Sequence, residues 1–289
     1  MRRPPHRPVV GGGDVAVELT LRGPSTRPSA PRATLVEQTA ALARRAIVRT
    51  LRQRALLVFP MVFPLILFAI NGSALSPATR IPRFPTDNYR DFLIAMTFVQ
   101  GAMFVSISAG VDLARDIESG FLNRLALTPL RGEALLVGQL GGALVIGIIQ
   151  AIVYLLVGLA AGVTLSSGVG GALVLLVLSI LISFAFASLG ALLALRFGTG
   201  EAVQGIFPLL FVTLFLSSSS LPRNLIKADW FRDIATYNPV SYLIEGLRSL
   251  VITGWDAEAL ALGLGFSIAI LAVALGLSQR SMRTRLARR

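Results

Sequence analysis

The side chains best suited to chemistry in this chain crowd into one charged stretch between apolar ones: Asp112, Arg115, Asp116, Glu118, Phe121 and Arg124. The stretch is helical in pattern, interrupted at Gly120 and stopped before Pro129. Its charges are of a kind that form ion pairs and recognise protein surfaces. A solvated turn and a protein-docking surface both fit, and the length of the stretch, with Phe121 set among charges, suits docking better.

Catalytic groups are missing elsewhere. The single histidine is His6, so a metal site built from histidines is excluded, including the His-Glu-x-x-His arrangement. There is no cysteine, hence no disulfide framework or thiolate site. No Gly-x-Ser-x-Gly elbow occurs. The sole lysine, Lys227, follows no glycine-rich loop, so no phosphate-cradling P-loop can be drawn. The reading is a chain with no cofactor of its own.

The elements that must position these residues are apolar. Six stretches, 55–70, 92–111, 134–161, 170–195, 205–220 and 257–277, carry no charged residue apart from Glu258. A helix rises ~1.5 Å per residue and the hydrocarbon core is about 30 Å thick, so ~20 apolar residues cross it. The chain is 54% hydrophobic and 15% charged, with a mean hydropathy of +0.72. A soluble helical protein would lack polar surface to cover its outside, and the continuous runs do not alternate as barrel strands do. The fold class is therefore all-α integral membrane, with six transmembrane helices over 55–278. No span holds a buried acid or base, the usual relay of an ion-coupled carrier.

Basic residues set the orientation. Of the 27 lysines and arginines, twenty fall in the termini and the second-to-third and fourth-to-fifth connections, and seven in the others. Basic loops stay in the cytoplasm, which places both termini there. The arginine-rich ends flank spans, where topology and anionic headgroups account for them better than nucleic acid does. Residues 1–34 are rich in Arg, Pro and Gly without apolar period and read as a disordered tail, not a cleaved signal peptide. Residues 279–289 read as a second basic tail.

Between the first tail and the first span, 35–54 is amphipathic. Val36, Ala40, Ala43, Ile47 and Leu51 share a face, with Arg45, Arg49 and Arg52 opposite, the pattern of a helix in the membrane interface. A cytoplasmic helix packed on a protein partner is the alternative. The first span contains Pro60 and Pro64, which free backbone carbonyls that neighbours must satisfy. The fifth stretch has sixteen residues, contains Pro208, and ends in Ser217–Ser220. Such a short span predicts that 221–256 dips back toward the membrane. Asn238-Pro239 predicts a helix start there, with Asn238 as cap. Trp230, Tyr237, Tyr242 and Trp255 suit a headgroup belt. Gly138 with Gly142, and Gly158 with Gly162, are spaced for close helix approach.

Several of these stretches together resemble the membrane subunits of ABC-2 type exporters, in the drug-export subgroup typified by daunorubicin-resistance permeases. Tyr89-Arg90-Asp91-Phe92-Leu93 is similar to the start of that family's second span. Residues 116–131, Asp116-Ile117-Glu118-Ser119-Gly120-Phe121 through Thr128-Pro129-Leu130-Arg131, resemble its coupling-loop motif. Glu201-Ala202-Val203-Gln204 precedes the fifth span as in the family. Trp230-Phe231, Asn238-Pro239-Val240-Ser241-Tyr242 and Glu245-Gly246-Leu247-Arg248 resemble its external signature. The likeness covers about 35–280. One departure is Lys227-Ala228-Asp229, where the family often has a proline and a glycine before the tryptophan.

The resemblance implies a type V exporter-like fold, with 35–54 as connecting helix, the segment around 112–119 as coupling helix, and 221–253 as a re-entrant external element. It implies a homodimer, or a heterodimer with a related permease, in a bacterial cytoplasmic membrane. Separate P-loop ATPase subunits would hold ATP and Mg and dock on Asp112, Arg115, Asp116, Glu118, Phe121 and Arg124. The first, second and fifth spans would line the pathway. Its candidate contacts are Thr97, Phe98, Gln100, Ser106, Ser108 and Phe104 on the second span, with Phe211, Thr213 and Phe215 on the fifth. The external element would rest on Trp230, Asn238, Pro239, Glu245 and Arg248. The expected cargo is a hydrophobic small molecule, a lipid or a polymer. A stand-alone carrier or channel is the alternative.

Overall fold

In the computed structural model, which describes residues 34–52, 54–121, 137–138 and 140–287, helices arise wherever apolar runs meet caps. Among the described residues there are nine α-helices and no strand. They are α1 (Leu35–Arg52), α2 (Arg54–Ala74), α3 (Tyr89–Glu118), α4 (Gly141–Ala160), α5 (Gly168–Phe197), α6 (Gly200–Phe215), α7 (Asp229–Tyr237), α8 (Pro239–Ile252) and α9 (Ala257–Ala287). Residues 1–33 of the predicted tail, Arg124 and the rest of 122–136 lie outside the described residues.

Caps mark several boundaries. The Asn88 side chain accepts the Arg90 N–H at 3.1 Å and starts α3. Gly198, at φ 82°, closes α5 in the left-handed conformation that glycine tolerates best. The Thr199 hydroxyl then accepts the Ala202 N–H and starts α6. Nothing breaks the helix between Val111 and Gly120, so α3 runs through the charged stretch to Glu118. The expected coupling helix around 112–119 is therefore not a separate element: Asp112–Glu118 is the end of α3, and the chain turns away at Gly120 with φ 68°. Likewise α9 continues to Ala287, through most of the predicted basic tail.

Four of the described helices are long and apolar enough to cross a membrane: α3, α4, α5 and α9 over Ala257–Met282. Two further apolar helices are shorter, Val58–Ala74 within α2 and Gly200–Phe215, which is α6. At sixteen residues α6 is about 24 Å long and falls short of the ~30 Å hydrocarbon core. Outward faces such as Leu173, Val177, Ile268 and Val273 stay exposed. Contiguous apolar surface of that kind suits lipid rather than water.

α3 forms the core of the bundle. Phe92, Val99, Ala102, Met103 and Val105 are fully buried. It crosses α5 so closely that a Cβ on Gly190 would lie 1.8 Å from the Ser106 carbonyl oxygen. At the start of α4, Gly138, Gly141 and Gly142 receive Leu42, Ala43, Ala46 and Thr50 of α1. The α1 face buried there lies beside the predicted stripe, which leaves Val36 and Leu51 exposed. Gly158 approaches Ile94 of α3, whereas Gly162 is a turn residue at φ 87° with open space around it.

Pro64 lacks the N–H that would have bonded the Pro60 carbonyl one turn back. α4 makes up the loss. The Tyr154 hydroxyl donates to the Pro60 carbonyl at 3.1 Å and the Gln150 amide reaches it at 3.5 Å. Gly101 of α3 leaves the room, since a Cβ there would meet the Tyr154 ring at 2.5 Å. Tyr154→Phe should cost about 1–3 kcal/mol, the usual penalty for stranding a buried polar group. Pro64→Ala restores an N–H for that carbonyl and should offset part of the loss in the double variant. Thermal unfolding in detergent checks this; strictly additive losses would contradict the pairing.

Candidate functional site

Three groups of side chains stand out along α3, from its charged end to its capped start. The distance from Asp116 to Phe92 is about 36 Å of helix.

At the charged end, α3 is bound to α1. Arg49 pairs with Asp116 at 2.9 Å and with Asp112 at 3.2 Å. Arg45 reaches Asp116 at 3.7 Å and lies over the Phe121 ring, 3.7 Å from its centroid. Arg115 stands 3.9 Å from Asp112 and is half exposed. Of the predicted docking residues, Asp116 is buried and Asp112 partly so, both turned toward α1 rather than outward. Arg49 thus points into the bundle instead of away from the apolar stripe. Glu118 reaches a different helix: its carboxylate accepts the Gly200 N–H at 3.1 Å, at the very start of α6. A carboxylate is favoured there by the unpaired N–H groups and dipole of the helix end.

Midway along α3, Phe104 joins a ladder of rings. Phe59 and Phe63 of α2 lie 6.0 and 5.7 Å from it on one side. Phe207 and Phe211 of α6 lie 5.0 and 5.8 Å away on the other. Phe211 continues to Phe215 at 6.2 Å. The outer rungs Phe59 and Phe215 are more than half exposed. Edge-on and tilted rings at these spacings attract one another, and they can receive a flat apolar guest. Thr97, Gln100, Phe104 and Ser108 recur at helical spacing and so share one face of α3. Thr97 and Gln100 are buried, Ser108 half-buried. The Gln100 amide nitrogen has no hydrogen-bond partner among the described residues. Ser106 is buried at the α5 crossing, and the Thr213 hydroxyl donates to the Leu210 carbonyl of its own helix. Phe98 stands apart, with its ring against Tyr154 of α4 at 5.8 Å. Sequence reasoning missed Phe59, Phe63 and Phe207, although the four-residue spacing of 59 with 63, and of 207, 211 and 215, was there to be read.

At the capped start of α3, a buried arginine holds the turn that follows the short helix. Past Phe215 the chain leaves the helix and runs as a turn through Ser217–Ser219. Arg248 of α8 donates to the Ser218 and Ser219 carbonyls at 3.0 and 3.1 Å and to the Phe92 carbonyl at 3.1 Å. Its guanidinium carbon lies 3.5 Å from the Phe92 ring centroid. Burial pushes its pKa down, with Glu245 and Tyr89 opposing. The Asn238 amide donates to the Thr213 and Leu216 carbonyls while its oxygen caps α8 at Val240, with Pro239 in the first turn. Glu245 accepts from the Ser218 hydroxyl at 2.7 Å and takes both arms of Arg223. That carboxylate holds the Arg223 guanidinium above its ordinary pKa. Arg223 also lies over Tyr242, which stacks on Phe266 of α9. Trp230, Tyr237 and Trp255 are all exposed.

These features define a polytopic helical membrane protein. Its polar side chains hold broken helices and bind elements to one another. The chain belongs to the ABC-2 type transporter family, whose profile matches residues 37–252. It is 26% identical over 243 residues to the daunorubicin resistance ABC transporter permease protein DrrB1 of Streptomyces coeruleorubidus, covering 80% of this chain and 79% of that one. It is 27% identical over 227 residues to the transport permease ycf38 of Porphyra purpurea, covering 77% of each. Its identity to the doxorubicin resistance permease DrrC of Mycobacterium tuberculosis is 21% over 219 residues, covering 76% and 78%.

Arg248→Ala strands the Ser218, Ser219 and Phe92 carbonyls and should destabilise the protein by at least about 3 kcal/mol. Arg248→Lys should not restore it, since an ammonium cannot span the planar fork that reaches three carbonyls. Retention of a monodisperse species on size exclusion in detergent, followed by thermal unfolding, measures both. A lysine variant as stable as the native protein would contradict the fork geometry.

Proposed function

We propose that this chain is the membrane-spanning subunit of an ATP-driven exporter, with ATP and Mg held by a separate P-loop ATPase. The family match over 37–252 carries the reading, and the lack of any P-loop in the sequence supports an engine on another chain. In this reading α2 and α6 join the four longer helices to make six spans, with α8 folded back beside the end of α6. Both termini face the cytoplasm of a bacterial cell, as the distribution of arginines favours. Two permeases, identical or related, would enclose the pathway.

The cargo is a hydrophobic small molecule, for which the names of the DrrB1 and DrrC relatives give the closest guide. The phenylalanine ladder of α2, α3 and α6 is the surface that would receive it. Thr97, Gln100 and Ser108 lie on the same face of α3 as Phe104 and would supply the few polar contacts. ATP binding closes the ATPase pair, and the permeases respond as a two-state element with no bond made or broken on this chain.

Affinity purification of the tagged chain from native membranes in mild detergent, with mass spectrometry of what accompanies it, tests the reading. A stoichiometric P-loop ATPase is the expected result. A clean oligomer without ATPase, reproduced after cross-linking, would favour a stand-alone carrier. Within the exporter, Phe104→Ala and Phe211→Ala should each lower transport of an aromatic drug severalfold while leaving ATPase co-purification unchanged. Unchanged transport across a drug panel would remove the ladder from the pathway.

A further inference from the structure

Resting on the exporter reading, we propose that the last two turns of α3 are a two-sided clamp that moves both helices of the phenylalanine ladder. Glu118 on one face and Asp112 with Asp116 on the other act as positioning residues. Residues 116 and 118 are two apart on a helix of 3.6 residues per turn and therefore lie on opposite sides of it. The contacts follow that division. Asp116 and Asp112 hold Arg49, and Asp116 holds Arg45, both on α1. Glu118 holds the first N–H of α6.

Each side leads to one half of the ladder. α1 ends at Arg52 and α2 begins at Arg54, so movement of α1 is delivered to the helix that carries Phe59 and Phe63. On the other side, Val203 of α6 packs so closely on Gly110 that a Cβ there would lie 2.7 Å from it. The grip of Glu118 on Gly200 is thus reinforced one turn further on, ahead of Phe207, Phe211 and Phe215. Phe104 stands between the two halves on the helix that holds both. The chain leaves α3 at the Ser119–Gly120 turn, so a push on the segment beyond would act on both helices at once. Mutation of these acids should separate nucleotide binding from helix movement without removing the ATPase.

The chain has no cysteine, so single reporters have no background. Val62→Cys reads α2 and Val212→Cys reads α6; both positions are exposed. The complex with its co-purified ATPase is labelled with a maleimide, with and without ATP and vanadate. In the otherwise native complex each labelling rate should change at least ~threefold between the two states. Glu118→Ala should bring the ratio at Val212→Cys to about one and leave that at Val62→Cys intact. Glu118→Gln, which keeps a carbonyl acceptor for Gly200, should preserve both. Asp112→Asn with Asp116→Asn should silence Val62→Cys and spare Val212→Cys. Full responses at both reporters in Glu118→Ala would overturn the clamp. So would loss of both responses together with loss of the ATPase, which would make these acids docking groups. No nucleotide response in the native complex would overturn the clamp and the exporter reading together.

Discussion

The guanidinium of Arg248 is the interaction on which the architecture most depends. Hydrocarbon offers no water to an unpaired backbone group, so a helix that stops inside the bundle needs protein partners for its last carbonyls. α6 stops after sixteen residues. Asn238 meets the Thr213 and Leu216 carbonyls at that end, and Arg248 holds the Ser218 and Ser219 carbonyls of the turn that follows. Burying an arginine is costly in itself. The cost is offset by three carbonyls and the face of Phe92, and Glu245 stands close enough to oppose the loss of its charge. The same logic recurs on a smaller scale at Pro60, where Tyr154 takes the place of a missing N–H.

The two ends of α3 are built differently. At Phe92 and Arg248 the polar contacts are deeply buried and converge on backbone that cannot turn away. At Asp112 and Asp116 the contacts are ion pairs between side chains, with Arg45 and Arg115 open to solvent. Water and salt weaken the pairs of the exposed Arg45 and Arg115, while the Arg49–Asp116 pair is largely shielded. Between the ends, ring-on-ring contacts of Phe104 tolerate sliding, because stacked and edge-on geometries differ little in energy.

Much of this was legible in the sequence, and the reasons for the exceptions are physical. Apolar length marked the long helices, and the brevity of α6 was plain from Pro208 and the serine run. Asn238-Pro239 announced the start of α8. Pairing across the bundle was not legible, because periodicity shows which residues share a face and not which helix that face meets. Arg49 looked like part of a polar face turned away from an apolar stripe, yet it points at Asp112 and Asp116, which are more than sixty residues further along the chain. The family resemblance implied a coupling helix around 112–119, beyond the apolar run that ends at Val111, where the charged residues begin. The backbone ignores that change, since nothing before Gly120 disfavours a helix. Arg248 was legible as part of the external signature, but its reach to the Ser218, Ser219 and Phe92 carbonyls was not.

Proteoliposomes containing the chain and its co-purified ATPase give the most direct test of the central claim, that transport is driven from outside this subunit. Drug flux should require hydrolysable ATP, stop with a non-hydrolysable analogue, and be indifferent to proton or sodium gradients. Flux through the chain alone, without ATPase and following an imposed ion gradient, would contradict the account.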